Sequence, residues 1–177
     1  ETGAVRATAA VGGEAGNVVY DPVIDRMVVA VHGRNDPALI DPTKATVTQR
    51  IPTPGCDDPH GQALDAADGV MFVGCEAGAA MVTVDLVTGT VTGRDSVGEA
   101  PDVLVYDPGT HRVYVAAESG WVSVFDRRAG RTVAVGDAHV ADGVHSLAVD
   151  PATHHCYLPI PKGPDGTPVL WEFEPTS

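Results

Sequence analysis

Short apolar runs, each bounded by Asp, Gly or Pro, recur along the whole chain. The most apolar of these runs cover residues 27–31, 70–73, 113–116 and 156–158, and the first three of them are rich in Val. Val, Thr and Tyr favour strands, whereas Asp, Gly and Pro favour the turns between strands. No segment keeps the 3.6-residue period of an amphipathic helix. The pattern therefore predicts an all-β chain with almost no helix.

An aspartate marks the same point of a repeating unit four times. Asp21, Asp65, Asp107 and Asp150 each end an apolar run, and they are 44, 42 and 43 residues apart. After each marker come a second apolar run, a third run that ends in an acid and, in the complete units, a more polar alternating run. Four short strands in a unit of this length are the signature of a β-propeller blade. A β-sandwich with accidental similarity between its strands is the alternative.

The two ends of the chain bear on how such a propeller closes. The repeats, which we treat as one domain over 1–177, cover approximately residues 13–55, 56–99, 100–141 and 142–177. The last unit stops after its third strand, and residues 1–12 match the turn and fourth strand of the other units. We therefore expect the N-terminal strand to close the last of about four four-stranded blades. Three arrangements fit: a four-bladed ring, an eight-bladed ring shared by a homodimer, or part of a larger ring.

The charge of the chain narrows the classes of partner. Lys and Arg number 11 and Asp and Glu number 24, so the net charge is −13. An acidic surface repels phosphate, which argues against nucleic acid and against docking on anionic membranes. No apolar run is long enough to span a bilayer, so we expect no membrane insertion. The N-terminus lacks the pattern of a secretion signal, so we expect a signal to have been removed or never to have existed.

Two stretches of the repeat carry a family resemblance. Residues 101–116 and 58–65 resemble the YVTN-type β-propeller repeat, with a Pro-Asp or Pro-His start, an Asp-Pro turn and an Arg-Val-Tyr-Val strand. The resemblance implies an extracytoplasmic propeller, and its relatives are often seven-bladed. Similar propellers include lactone hydrolases and a streptogramin lyase that uses a metal and a His. The first unit departs from the pattern at Gly16 and Asn17, and the last carries an insertion at 159–164.

Aligning the repeats places several polar residues on one face. Gly16, His60, Asp102 and His145 each stand five residues before the marker aspartate, so they should surround the mouth of the channel. His60, Asp102 and His145 would suit Zn²⁺ or another divalent cation. They would equally suit acid/base catalysis. Solvation of the strand ends is the third reading.

The ends of the second strands should reach the same face. They carry His32, Cys75, Glu76, Glu118 and Ser119. Of these we expect His32 and Glu118, together with Asp102, to contact a ligand. Glu76 and Glu118 could add oxygen ligands for a cation such as Ca²⁺, although surface solvation is the simpler role for each.

The cysteines give a second, independent expectation. Cys56 lies in the loop that enters the second unit and Cys75 lies at the end of its second strand, so a disulfide between them is the leading interpretation. Closing this segment would stabilise the fold by roughly 3 kcal/mol and would imply an oxidising compartment. The alternatives are two free thiols, or thiolates that join His60 at a metal. Cys156 falls in an apolar strand and should be a buried thiol.

Two functions remain open from the sequence. No linear catalytic or nucleotide-binding motif occurs, which favours an extracytoplasmic binding or scaffold module that presents the channel face to a protein or a small molecule. The other is a metal-assisted enzyme of the lyase or lactonase type that uses His60, Asp102 and His145. A divalent cation is the only cofactor that these residues suggest.

Overall fold

The protein is described by a computed structural model over residues 3–175. Fifteen strands form in the described part of the chain. The strands are β1 (Glu14–Asp21), β2 (Arg26–His32), β3 (Ala38–Asp41), β4 (Thr46–Arg50), β5 (Pro59–Asp65), β6 (Val70–Cys75), β7 (Ala80–Asp85), β8 (Thr90–Ser96), β9 (Pro101–Asp107), β10 (Arg112–Ala117), β11 (Trp121–Arg128), β12 (Arg131–His139), β13 (Ala148–Val149), β14 (Cys156–Ile160) and β15 (Val169–Phe173). One short 3₁₀ helix, Glu76–Gly78, follows β6. No helix in residues 3–175 is long and apolar enough to cross a membrane.

The strands form four separate antiparallel sheets, each made of strands that are consecutive in the chain. The first three sheets have four strands (β1–β4, β5–β8 and β9–β12), and the fourth has three (β13–β15). Consecutive pairing follows from tight turns, in which an Asp side chain accepts hydrogen bonds from the backbone two or three residues further on. In the first turn, Asp21 Oδ1 accepts from the N–H groups of Val23 and Ile24 at 2.8 and 3.3 Å.

Each sheet packs its face against the next, so that the core lies in layers between sheets. Val28 and Met71 are buried between the first and second sheets, Phe72 and Leu104 between the second and third, and Leu158 between the third and fourth. The first strands β1, β5 and β9 lie side by side. An all-β, β-propeller-like arrangement of radiating sheets results.

Close approach of the first strands depends on two residues of β5. A Cβ on Gly61 would stand 2.1 Å from the carbonyl oxygen of Asp102, so only glycine allows β9 to lie this close. Gln62 is buried, and its Nε2 donates hydrogen bonds to the carbonyl oxygens of Asn17 and Val28 at 2.8 and 2.6 Å. The inner strand β5 is therefore hydrogen-bonded to the first sheet and packs closely against β9 of the third.

The N-terminal segment does not close the fourth sheet as the sequence predicts. Within the described residues, 3–13 form no strand, and β15 has no fourth strand beside it. Ala9 and Val11 instead pack on the first sheet, against an apolar patch that includes Val31 and Ile40. The guanidinium of Arg50 donates a hydrogen bond to the Val11 carbonyl oxygen. The segment covers a sheet face that would otherwise expose apolar side chains to water. Residues 1–2 of the predicted strand lie outside the described residues.

The two ends of the sheets are named here for use below. The turn end carries the β1–β2 and β3–β4 turns and their counterparts in the other sheets. The entry end is the opposite end, where the chain enters each first strand and where each second strand passes into the third. Glu14 pairs with His32 across β1 and β2, which places the start of β1 and the end of β2 together at the entry end.

Candidate functional site

Polar side chains from all four sheets gather at the entry end. His32 is the last residue of β2, His60 is the second residue of β5, and Asp102 is the second residue of β9. Glu76 begins the 3₁₀ helix after β6, and His145 precedes β13. The sequence analysis placed all five on this face, and the structure brings them into one cluster.

His60 is at the centre of the cluster, since both of its ring nitrogens have partners. Its Nε2 lies 3.0 Å from Asp102 Oδ1. Its Nδ1 lies 2.5 Å from His32 Nε2, and the two imidazole rings meet edge to face. Asp102 therefore orients the His60 ring so that Nδ1 points toward His32.

Glu76 completes a second group of three side chains around the same point. Its Oε2 lies 3.3 Å from His60 Nδ1 and 3.6 Å from His32 Nε2. This oxygen is shielded from solvent and accepts no hydrogen bond within the described residues. A buried carboxylate oxygen without a donor costs free energy, so its position calls for a cationic or hydrogen-bonding partner. The donor atoms of His32, His60 and Glu76 all lie within 4.8 Å of one another.

His145 stands at the edge of the cluster. Its Nε2 lies 3.9 Å from Asp102 Oδ2, and its Nδ1 is bound to the Gly143 carbonyl oxygen at 2.9 Å. Asp102 is thus placed between His60 and His145, with one carboxylate oxygen toward each. The set His60, Asp102 and His145 forms a row, whereas His32, His60 and Glu76 surround a common point.

Glu118 lies at the same end but outside the cluster. It follows β10 and is exposed, and its N–H donates to the Ala100 carbonyl oxygen at 2.8 Å. Among the described residues, no ion pair joins it to His60 or His145. The structure therefore gathers His32 and Asp102 of the expected ligand contacts, and leaves Glu118 apart.

A disulfide underlies the cluster. Cys56 and Cys75 are both buried and are bonded, with an Sγ–Sγ distance of 2.07 Å. The bond fixes the residue before Glu76 to the loop that leads into β5. The same loop holds Asp58, whose carbonyl oxygen accepts from the Glu76 N–H at 2.9 Å and whose Oδ1 accepts from the Gly33 N–H at 3.0 Å. The segments that carry His32, His60 and Glu76 are thus connected to one another. Cys156 is a buried free thiol whose pKa is raised by burial.

The sequence analysis missed how His32 and Glu76 combine with His60. Both residues were placed on the correct face because they end second strands. Their meeting depends on the 3₁₀ turn of Glu76–Gly78, which brings the side chain of Glu76 toward the preceding sheet. The only signal for this turn in the sequence is that Glu76 directly follows Cys75 of the predicted disulfide.

Comparison with known proteins supports the fold alone. No protein-family model matches the chain, and no curated protein matches it. Among solved structures, hydrazine synthase of Kuenenia stuttgartiensis is similar with a TM-score of 0.76 and 14% identity, over 93% of this chain and 49% of that one. A functionally unknown protein from Desulfotomaculum acetoxidans DSM 771 is similar with a TM-score of 0.69 and 11% identity, over 83% of this chain and 49% of that one. This chain spans about half the length of either.

Proposed function

We propose that this protein is an extracytoplasmic β-propeller module of YVTN type that binds a ligand or partner at its entry end. The observation that carries the proposal is the convergence of ionisable side chains from four separate sheets, with His60 and Asp102 at the centre 3.0 Å apart. At the opposite end, the turn aspartates accept hydrogen bonds from the backbone, as Asp21 Oδ1 does from the Val23 N–H at 2.8 Å. Binding residues on loops held by a rigid scaffold are a common use of such folds.

Two further features support the cellular setting and the assembly in this proposal. The disulfide between Cys56 and Cys75 suits an oxidising compartment. The edge of β15, which has no further strand beside it in the described residues, suits a ring completed by a second copy or by further sheets. We expect the entry end, with its channel face, to be offered to a protein or a small molecule in either assembly.

The proposal is tested by mapping ligand contacts on the protein in solution. Isotope-labelled protein in EDTA is mixed with fragment-sized sugars, carboxylic acids and amides, and amide chemical shifts are recorded by NMR. We expect the shifted residues to cluster around His60 and Asp102, and we expect His60→Ala to abolish the shifts. His155→Ala is the matched control, because His155 pairs with Glu172 near the turn end, at 2.7 Å. Shifts confined to the turn end, or none from any fragment class, would overturn the proposal.

A metal-assisted lyase or lactonase is the second candidate function. The 3.0 Å contact between His60 and Asp102 favours it, because a carboxylate that orients an imidazole is a common acid/base arrangement. Hydrolysis of a simple lactone in the presence of Zn²⁺ is the test. Turnover that disappears in His60→Ala but persists in His155→Ala would support an enzyme. Equal background rates in wild type and both variants would exclude lactone hydrolysis at this site.

A further inference from the structure

We propose that His32, His60 and Glu76 bind a divalent transition-metal ion such as Zn²⁺, and that Asp102 positions His60 for it. This inference rests on the proposed function, since it names a ligand for the same face. It differs from the expectation drawn from the sequence, in which Asp102 and His145 were themselves ligands. The donor atoms are His32 Nε2, His60 Nδ1 and Glu76 Oε2.

The distances between these atoms suit a small ion. Zn–N and Zn–O bonds of about 2.0–2.1 Å place two tetrahedral ligands about 3.3 Å apart. The Glu76 oxygen lies 3.3 Å from the His60 nitrogen and 3.6 Å from the His32 nitrogen, so two edges of the tetrahedron are already formed. The third edge, between the imidazole nitrogens, is 2.5 Å and must open by a little under 1 Å. Both rings are partly exposed, which leaves room for that rotation.

The two nitrogens that face each other also favour an ion between them. Neutral imidazoles in this contact need one nitrogen to carry a proton and the other to accept it. With the His60 proton on Nε2, which lies 3.0 Å from Asp102 Oδ1, His60 Nδ1 holds the lone pair and His32 Nε2 carries the proton of the contact. A metal at this point would be bound by the other neutral tautomer of His32, with its proton on Nδ1, so that both facing nitrogens are ligands. Asp102 then serves as the outer carboxylate that commonly orients a metal-binding His.

Charge gives an independent reason for a cation here. With neutral imidazoles, Glu76 and Asp102 leave two negative charges at the cluster. Glu76 Oε2 is shielded from solvent and accepts no hydrogen bond from the residues that the structure describes, so a cation at the centre would satisfy it. No Lys or Arg forms an ion pair with either carboxylate among the described residues.

The donor types select the class of metal. Two imidazole nitrogens and one carboxylate oxygen suit Zn²⁺, Co²⁺, Ni²⁺ or Cu²⁺, whereas Ca²⁺ and Mg²⁺ prefer sites made of oxygen. Three protein ligands leave a fourth position on the exposed side of the cluster. A water molecule or a donor atom of a bound partner can occupy it. The site is thus of the open type, which can hold a second molecule through the ion.

Metal titration of chelator-stripped protein tests the proposal. We expect one equivalent of Zn²⁺ to bind in competition with a chromophoric chelator, and Co²⁺ to give the visible absorption of tetrahedral coordination. His32→Ala and His60→Ala should each weaken binding at least 100-fold. Asp102→Asn should weaken it 10- to 100-fold while the Co²⁺ spectrum keeps its tetrahedral form, because an outer residue changes affinity more than geometry. His155→Ala should bind as the wild type does, and circular dichroism should show that each variant is folded.

Several outcomes would overturn the proposal. Wild-type protein that binds no Zn²⁺, or binding that survives in folded His32→Ala, would exclude this site. If His145→Ala lost Zn²⁺ binding while Glu76→Gln kept it, the ligands would instead be His60, Asp102 and His145. The NMR mapping in EDTA is independent of metal, so fragment binding at the entry end without Zn²⁺ binding would remove this inference and leave the proposed function standing.

Discussion

The turn end and the entry end are built from the same repeat, yet their polar residues have different partners. At the turn end, one type of residue recurs at equivalent places and accepts hydrogen bonds from the backbone that follows it. These residues are Asp21, Asp41, Asp85, Asp107 and Asp150. At the entry end, the equivalent positions carry Gly16, His60, Asp102 and His145. Aspartate thus recurs in the turns after first strands and after third strands, whereas the entry-end positions carry a different residue from one sheet to the next.

The difference also appears in how the carboxylates are satisfied. A hydrogen bond from the Thr88 N–H lowers the pKa of Asp85, and one from the Lys44 N–H lowers the pKa of Asp41. Glu76 at the entry end has a buried oxygen that accepts no hydrogen bond in the described residues. Turn-end acids therefore stabilise the fold as they stand. The nearest groups to that oxygen are the imidazoles of His60 and His32, at 3.3 and 3.6 Å, which are also the other two donors of the proposed metal site.

Of the changes that test this difference between the two ends, removal of the disulfide should have the largest effect on stability. Cys56→Ser/Cys75→Ser opens a covalent link across a sequence separation of 19 residues. We expect a loss of about 3 kcal/mol in the free energy of unfolding, measured by urea denaturation, because the unfolded chain regains conformational freedom. Zn²⁺ affinity should fall as well, since Cys75 directly precedes Glu76. A reductant should destabilise the wild type by a similar amount and leave the double variant unchanged. Equal stability of the two oxidised proteins would show that hydrogen bonds alone hold the entry end.

Gly61→Ala tests whether the entry end depends on close packing of the inner strands. The new Cβ would meet the Asp102 carbonyl oxygen at 2.1 Å, so β5 and β9 must move apart. We expect a loss of about 2 kcal/mol in unfolding free energy and weaker Zn²⁺ binding, as Asp102 moves away from His60. Gly136→Ala is the control, because its Cβ would meet nothing within 4 Å. A variant that loses stability but keeps its Zn²⁺ affinity would separate strand packing from the site.

Most of the fold can be predicted from the sequence because its determinants are local. Each turn depends on an aspartate and the few residues after it, as at Asp107, which accepts from the Gly109 N–H at 2.9 Å. The pairing of residues 1–12 with the last unit was wrong for the described part of that segment, because strand-like sequence does not choose its partner. Val11 instead covers apolar side chains of the first sheet, a demand that appears only once the sheets are assembled.

The sequence predicts at which end of the sheets the candidate site lies. It does not predict which side chains come within bonding distance of one another there. Repeat alignment gives the end at which His60 and Asp102 lie, because equivalent positions occupy equivalent places in each sheet. It gives no distances between sheets, and those depend on Gly61 and on the 3₁₀ turn at Glu76. For this reason, sequence reasoning grouped His60 with His145 of another sheet and left His32 in a separate set.

Asp107→Ala tests the turn end, as the disulfide and Gly61 variants test the entry end. Asp107 is buried and accepts from Gly109, Thr110 and the His154 ring. Its loss leaves those donors without an acceptor, so we expect a loss of about 1.5 kcal/mol in unfolding free energy. Asp150→Ala should cost less, because Asp150 makes the equivalent turn contacts in a more exposed setting. Zn²⁺ affinity should be unchanged in both variants. A reduced affinity in Asp107→Ala would show that the two ends are coupled through β9.

The smallest effect we predict is a change in acid sensitivity at Asp107. Burial alone would raise the pKa of this carboxyl, but hydrogen bonds from Thr110 and Gly109 and the nearby His154 outweigh it and hold the pKa below its ordinary value. The unfolded chain then binds more protons than the folded protein as the pH falls, so this contribution to stability is complete above about pH 5 and is lost on further acidification. The Asp107→Asn variant lacks this charge-dependent contribution to stability at every pH. The gap in unfolding free energy between wild type and variant should therefore narrow from pH 5 to pH 2 in urea titrations, and a constant gap would assign the stabilisation to the shape of the side chain instead of its charge.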